Sequence, residues 1–444
     1  MTPRPRAAIL SVGDELVLGE KLDTNSKWLA DQLGCIGLLV TEHRTVPDNL
    51  DQLAGVLQEM ALSSDALLVG GGLGPTADDL TRQAFATALE RLTGRAQPLV
   101  EDADSLAEIQ ARFAQAGRAM PESNRVQALR PKGAVRLPNA QGTAPGMAYS
   151  SANAGFARVI ACLPGPPREM RPMFEAHVEP RLRTLPGITH APLRFVQVFG
   201  LGESEVASRI NDFMQRDNNP AVGTTASSGM VTCRVRVDPS QPVCGPYETE
   251  DAADAAEEAV AAIEQATGSY VVGYVEEPLA AFLLREAIER SMTIATAESC
   301  TGGLVGELLT SQPGSSDAYA GGWVTYSNTM KERQLGVSCD LLQQHGAVSR
   351  AVAEAMAQGA LERSGSNLAL SVTGVAGPGG GTSEKPVGTV WIGCAIQGQR
   401  PVAKRFLFAG DRDSVRRWSA NTALFIGLQA IRGRLSDRLL RETT

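Results

Sequence analysis

The chain has 444 residues, too long for one ordinary core, and its length predicts two or three domains. With 43% hydrophobic and 20% charged residues it has too many apolar groups for disorder, and no run reaches the roughly 18 apolar residues of a membrane span. A formal net charge of −8 and a pI near 5.3 exclude coating of nucleic acid by bulk electrostatics and leave only a local basic face for such contact.

The opening, "MTPRPRAAILSVGDELVLGE", meets Asp14 and Glu15 immediately after a short apolar run, so it does not read as a signal-peptide core. A cytoplasmic protein without membrane contact is expected. "AAILSVGDEL" reads as a buried strand entering a polar loop, "TNSKWLADQLGCIG" as a capped helix ending near Gly37, and "LLVTEHRTV" as a second strand. "NLDQLAGVLQEMALSSD" has helical spacing, and "ALLVGGGLGPT" is an apolar strand that breaks into glycines. Alternation with short connections implies parallel strands joined by crossover helices, with ligands at the carboxyl ends of the strands.

A smaller region from about Leu193 to Asp238 has strand-like "LRFVQVFG" and "MVTCRVRVD" around the helical "GESEVASRINDFMQ". "SQPVCGPYETED" reads as a linker, followed by "DAADAAEEAVAAIEQATG" as a helix. From Glu277 the strand and helix alternation resumes and runs to a final helix from about Asp413. The expected fold class is α/β: two unlike α/β domains with mainly parallel central sheets, joined by a small α+β module and a linker. The expected boundaries are 1–180, 181–250, 251–276 and 277–444.

Seven cysteines (Cys35, Cys162, Cys233, Cys244, Cys300, Cys339, Cys394) lie scattered without a CxxC pair, which favours reduced thiols over zinc. Only His43, His177, His190 and His345 are available to a histidine mechanism. A serine can instead be activated by a neutral lysine or a tyrosine. "ATAESCTGG" places Ser299 at a strand mouth, followed by Thr301, Gly302 and Gly303 at a helix start whose N–H groups suit an oxyanion or a phosphate. "GGWVTYSNTMKERQLG" supplies Tyr326 and Lys331, with "SN" as a helix cap between them. "SVTGVAGPGGGTSEKPVGTVW" supplies Thr373 and a glycine-rich loop including Gly374 and Gly377, and "FAGDRDSVRRW" places Arg412 where it could clamp an anion. Each feature has a plainer reading: a serine at a strand end as a helix cap, a lysine as a solvated charge. Cys300 is a rival nucleophile without a partner histidine nearby in sequence.

In the first region "GGGLGPTADDLT" joins a strand to a helix through Gly72, Gly74 and Thr76 and then presents Asp78 and Asp79. Paired carboxylates beside a glycine loop suit a divalent cation bridging phosphate oxygens, or equally the charge-complemented start of a helix.

These motifs carry a resemblance to a known family. "TAESCTGGLVGELLT", "GSSDAYAGGWVTYSNTMK", "GAVS", "SVTGVAGPGGGTSEKPVGTVW" and "FAGDRDSVR" resemble the nicotinamide mononucleotide amidohydrolase domain, the C-terminal half of the competence/damage-inducible CinA proteins. The resemblance implies hydrolysis of the carboxamide of nicotinamide mononucleotide to nicotinic acid mononucleotide and ammonia, with no cofactor. It matches Ser299 to the nucleophile, Lys331 to its base partner, Tyr326 to the tyrosine beside them and Thr373 to a substrate-contacting threonine. Either Lys331 or Tyr326 would take the serine proton. "SVGDEL", "LDTNS", "GGGLGPTADDLT", "ESNRVQALRPKGAVRLPNAQGTAPGM" and "CLPGPPREMRPMF" resemble the family's N-terminal domain, related to molybdopterin-binding proteins. That likeness implies nucleotide-diphosphate binding and a pyrophosphatase acting on ADP-ribose with a divalent metal (Mg, Mn or Co), and places Asp14, Asp23, Asn25, Asp78 and Asp79 in the matching motifs. "VGGGLGPT" carries Gly70 where the family's usual "TGGLGPT" has threonine, and "TVPDN" replaces a commoner "VGDD". The middle region corresponds to a KH-like module without a GxxG clamp in "VFGLGESEVASRI". The family also implies a homodimer and allows two other readings: a partner-binding protein of competence or recombination, or a molybdopterin-handling N-terminal domain.

Overall fold

A computed structural model of the chain describes residues 4–151, 155–188, 193–435 and 437–443; His190 lies outside them. The chain divides into two compact units, Met1–Leu193 with Val237–Pro242, and Arg194–Arg236 with Val243–Thr444.

The first unit is built on a six-stranded sheet. Its elements in chain order are β1 (Arg6–Val12), α1 (Thr24–Ile36), β2 (Leu39–Val46), α2 (Leu50–Ser63), β3 (Ala66–Gly70), α3 (Thr81–Thr93), α4 (Ala103–Gln115), β4 (Val135–Leu137), β5 (Gly146–Ser150), β6 (Val159–Leu163) and α5 (Pro167–Met173). The sheet order is β2-β1-β3-β6-β5-β4. The pairs through β6 are parallel, whereas β6–β5 and β5–β4 are antiparallel. Strand periodicity sends Ala8 and Leu10 to one face, where they pack with Leu57 and Phe85, and Ala7 and Ile9 to the other, with Leu29, Leu33 and Phe174. Each such leucine or phenylalanine, fully buried, contributes roughly 1.5–3 kcal/mol. The glycine turn after β3 lies at the carboxyl end of this sheet, the end from which a parallel sheet offers its ligand sites.

The second unit begins with a small module: β7 (Leu193–Phe199), α6 (Glu203–Arg209), β8 (Ala221–Ser227), β9 (Met230–Arg236), α7 (Ala252–Thr267) and β10 (Val271–Gly273), in the sheet order β8-β9-β7-β10. The helix and strand of residues 251–276, expected as a linker, thus complete this sheet: β10 pairs antiparallel with β7, and α7 buries Ala255, Ala256, Ala259 and Ile263. The alanine-rich stripe lets helix and sheet approach closely, a packing role that composition alone does not reveal.

The remaining elements are α8 (Leu279–Glu289), β11 (Ile294–Glu298), α9 (Leu304–Thr310), β12 (Tyr319–Val324), α10 (Asn328–Leu335), α11 (Cys339–His345), α12 (Arg350–Ser364), β13 (Leu368–Gly374), β14 (Thr389–Ile396), β15 (Val402–Leu407), α13 (Arg412–Ile431) and β16 (Glu442–Thr443). The sheet order is β12-β11-β13-β14-β15-β16. Parallel pairing is confined to β12–β11 and β11–β13, and the other three pairs are antiparallel. The connections differ accordingly: helices carry the chain between the parallel neighbours, while β13 returns to β14 through a glycine-rich loop, residues 375–388, that forms no helix.

Helix α13 buries its apolar side against this sheet and also meets the small module. Trp418 lies with its ring centroid 6.5 Å from that of Phe199, Phe425 lies 5.0 Å from the same ring, and Asn421 Nδ2 donates to Ser228 O at 3.1 Å. The Arg441 guanidinium stacks over Trp418 at 4.2 Å.

Candidate active sites

In the second unit the carboxyl ends of β11 and β13 bring Ser299 beside Lys331. Ser299 N–H donates to Val372 O at 2.9 Å, which continues the sheet ladder one residue past β11 and fixes the serine at its mouth. Helix α10 delivers the lysine: Ser327 caps it by accepting from Met330 N–H at 3.2 Å, as the "SN" pair predicts. Lys331 is only 1% exposed, and its Nζ lies 3.0 Å from Ser299 Oγ, 2.9 Å from Thr325 O and 3.3 Å from Tyr326 O. Among the described residues no carboxylate pairs with it, so burial disfavours the ammonium and lowers its pKa from the ordinary 10.5. A neutral amine has two N–H groups and one lone pair. The two carbonyls take the N–H groups, which leaves the lone pair for the Ser299 hydroxyl to donate to.

Tyr326 is placed differently from its expected part beside the serine. Its side chain is 61% exposed and its hydroxyl accepts from Arg412 at 3.0 Å, while its contribution to Lys331 is a main-chain carbonyl. Arg412 also donates to Gly377 O at 2.7 Å, so it ties the glycine-rich loop to the tyrosine. Thr373 is buried and its hydroxyl donates to Ala347 O at 2.8 Å, a bond internal to the fold. A side chain on Gly374 would press within 2.7 Å of Thr389 O, and Gly377 has φ +85°, so these glycines serve close packing and a turn.

The helix start after Ser299 is already occupied. Glu298, 2% exposed, accepts from the N–H groups of Gly303, Val305 and Gly306 at 2.9, 3.0 and 2.8 Å. These groups at the start of α9, expected to hold an oxyanion or a phosphate, are therefore capped from within the chain. Gly302 N–H is likewise turned back to Ser299 O at 3.1 Å. The Thr301 carbonyl accepts from both Nε and an Nη of Arg416, and its hydroxyl is fully buried without a partner. Glu298 and Arg416 were not singled out in the sequence, although Glu298 stands in the quoted turn, five residues before the N–H it caps. Burial pushes the Cys300 thiol up to about 12, so it stays protonated at neutral pH and makes a poor rival nucleophile.

In the first unit a cavity of about 720 Å³ opens at the carboxyl ends of β1 and β3, walled by Gly70 to Pro75, Asn25, Asp48 and Asp78 among others. Asp23 is the α1 cap, accepting from Ser26 N–H at 2.9 Å and from Ser11 Oγ at 2.5 Å. Asn25 Nδ2 donates to Gly165 O at 2.6 Å and its Oδ1 is buried without a partner on the cavity wall. Asp14 and Asp48 each accept from the other's backbone N–H, at 3.2 and 3.0 Å, and of the two Asp48 faces the cavity. Burial raises the Asp48 pKa, and the charges of Asp14, Asp78 and Glu15 push the same way.

Asp78 and Asp79 separate in role. Asp78 is exposed on the cavity wall, whereas Asp79 accepts from Gly74 N–H at 2.7 Å and from Thr76 N–H at 2.9 Å and so clamps the glycine loop. Thr76 adds its hydroxyl to the same carboxylate. Among the described residues no three His, Cys, Asp or Glu side chains gather to hold a metal ion. Asp48 and Asp78 line the cavity without clamping the loop, and two carboxylates alone fall short of the oxygen shell a divalent cation takes. Asp48, in the "TVPDN" stretch, was not singled out in the sequence because it enters the site through the turn after β2. No helix among the described residues is long and apolar enough to cross a membrane.

Three family models match in series: the CinA C-terminal domain over residues 276–431, a "probable molybdopterin binding domain" over 8–184, and the KH domain of damage-inducible protein CinA over 193–273. A competence-damage inducible protein of Symbiobacterium thermophilum is 42% identical over 94% of this chain and 97% of its own. A CinA-like protein of Parasynechococcus marenigrum is 41% identical over 91% of this chain and 92% of its own. Among solved structures, the competence/damage inducible protein CihA of Agrobacterium tumefaciens is 41% identical, covering 35% of this chain and 93% of its own with a TM-score of 0.34.

Proposed function

Because this chain belongs to the CinA family, we propose that the buried pair of Ser299 and Lys331 makes its second unit an amidohydrolase of nicotinamide mononucleotide. The observation that carries the reading is the Lys331 amine, 3.0 Å from Ser299 Oγ and held by two carbonyls with no anionic partner among the described residues. In the first step the Ser299 O–H proton passes to the neutral amine as Oγ forms a bond to the carboxamide carbon. The N–H groups next after Ser299 in the turn, those of Cys300 and Thr301, serve the oxyanion, since Glu298 occupies those at the helix start. The C–N bond then breaks, the departing nitrogen takes the proton from Lys331, and ammonia leaves. Water attacks the acyl-serine and gives a proton to Lys331; the C–Oγ bond then breaks, Ser299 Oγ takes that proton back from Lys331, and nicotinic acid mononucleotide leaves. Arg412 and the glycine loop supply charge and shape for the substrate phosphate. Ammonia release from nicotinamide mononucleotide by the purified protein, with and without a chelator, tests this: release that survives chelation supports it, and none from folded protein overturns it in favour of a partner-binding role in competence or recombination.

For the first unit the cavity with its glycine loop and the Asp48–Asp78 wall favours a nucleotide-diphosphate ligand, with ADP-ribose as substrate and a divalent cation (Mg, Mn or Co) held by the two carboxylates and the ligand's oxygens. Turnover of ADP-ribose under each metal tests that reading. Competition by a pterin that excludes ADP-ribose would favour the molybdopterin alternative. A cytoplasmic homodimer is the setting in which we place both activities.

A further inference from the structure

The glycine loop of the first unit has an uncommon support. Four consecutive carbonyl oxygens are held by two adjacent residues at the start of α3: Gly71 O accepts from Thr81 Oγ1 at 2.8 Å, Gly72 O from Thr81 N–H at 3.2 Å, and Leu73 O and Gly74 O from the two Nη of Arg82, the latter at 3.1 Å. Thr81 and Arg82 are both 0% exposed and stand behind the loop, whereas Gly71 to Gly74 line the cavity. The loop fits them closely: a side chain on Gly72, at φ +64°, would come within 2.3 Å of Thr81 Oγ1.

Peptide planarity turns this into chemistry. In a trans peptide the N–H points opposite to the C=O, so carbonyls drawn inward turn the N–H groups of Gly72 and Leu73 outward to the cavity. The next N–H, of Gly74, is taken by Asp79, and Pro75 has none. Behind the same loop Arg82 spends its two Nη on carbonyls; burial lowers its pKa to about 10 while the nearby charge of Asp79 acts to raise it, and it stays charged at neutral pH. Burying this cation is costly, Asp79 offsets part of that cost from the Gly74 end of the loop, and the field of Arg82 reaches Gly71 to Leu73 with little screening by water.

We propose that Thr81 and Arg82 are positioning residues that convert the Gly71 to Gly74 loop into a cradle for a diphosphate group, by withdrawing its carbonyls from the cavity and setting a positive charge beneath it. This rests on the reading of the first unit as a nucleotide-diphosphate site, and it names the part of the ligand that the loop receives. The carboxylates of Asp48 and Asp78 in the same cavity make the site hostile to a bare anion, so the diphosphate arrives with a divalent cation.

The test is calorimetric titration of the full chain with inorganic pyrophosphate and magnesium, beside ADP-ribose, on wild type and on Thr81→Ser, Thr81→Val and Arg82→Lys. The expected result is binding about tenfold weaker in Thr81→Val and Arg82→Lys, with Thr81→Ser restored to near wild type. In wild-type protein labelled at glycine and leucine, pyrophosphate should shift the amide signals of Gly72 and Leu73, a readout that does not depend on any variant folding. Unmoved signals, or a folded Arg82→Lys that binds pyrophosphate within twofold of wild type, overturn the cradle. Wild type that binds ADP-ribose but not pyrophosphate overturns the cradle alone, whereas wild type that binds neither overturns the nucleotide reading with it.

Discussion

At Lys331 burial and charge oppose each other, and the side chain's role follows from which prevails. Desolvation lowers its pKa, so the active neutral amine gains population as pH rises and the rate should climb through a pKa below 10.5 to a plateau. The linkage sign agrees: the cost of burying the ammonium is present in full below the folded pKa and disappears as pH rises past the unfolded one, so stability increases with pH across that window. Lys331→Met should lower kcat by about 10²–10⁴-fold and abolish the rising limb, as a pH–rate profile would register. Ser299 and Lys331 were legible in the sequence because a strand mouth and a capped helix each mark their residue locally. The partners of Tyr326 and Thr373 are not legible in the same way, since a sequence does not say that a tyrosine hydroxyl meets Arg412 or that a threonine hydroxyl donates to Ala347 O.

Helix α9 shows what is lost when a single side chain serves a whole element. Glu298 caps three N–H groups of its start, and Glu298→Ala would leave them unpaired, that of Val305 buried and the other two partly so, costing about 1–3 kcal/mol in a thermal or denaturant unfolding measurement. Helix α10 depends on a close approach. A Cβ on Gly359 of α12 would lie 2.0 Å from Leu335 O, the last residue of the helix that carries Lys331. Gly359→Ala must therefore move α10, and kcat should fall about tenfold or more with KM less affected, because displacement of a base by an ångström disturbs the reacting geometry. Helices and strands themselves were readable from periodicity. The antiparallel half of the second unit's large sheet was less so, since strand direction depends on whether a loop or a helix makes the connection. The α7 helix is legible as a helix, but its packing on the small sheet is not, because its small apolar stripe is indistinct beside an acidic run.

At the scale of the whole chain, two units hold two separate candidate sites, each with its own loop and polar groups. Ser299→Ala should abolish ammonia release while ADP-ribose turnover, assayed on the same preparation, stays within twofold of wild type. Asp48→Asn should do the reverse. The small module and the domain after it form one body, because Phe199 and Trp418 share a core and Gly229 leaves no room for a side chain beside the indole, where a Cβ would lie 2.5 Å away. That indole is wedged between Phe199 and Phe408 under the Arg441 guanidinium, on the helix whose first residue, Arg412, holds the glycine-rich loop. Trp418 thereby becomes an optical probe once Trp28, Trp323 and Trp391 are replaced by phenylalanine: loosening of the small module should alter its emission, so the packing can be followed by light without a label.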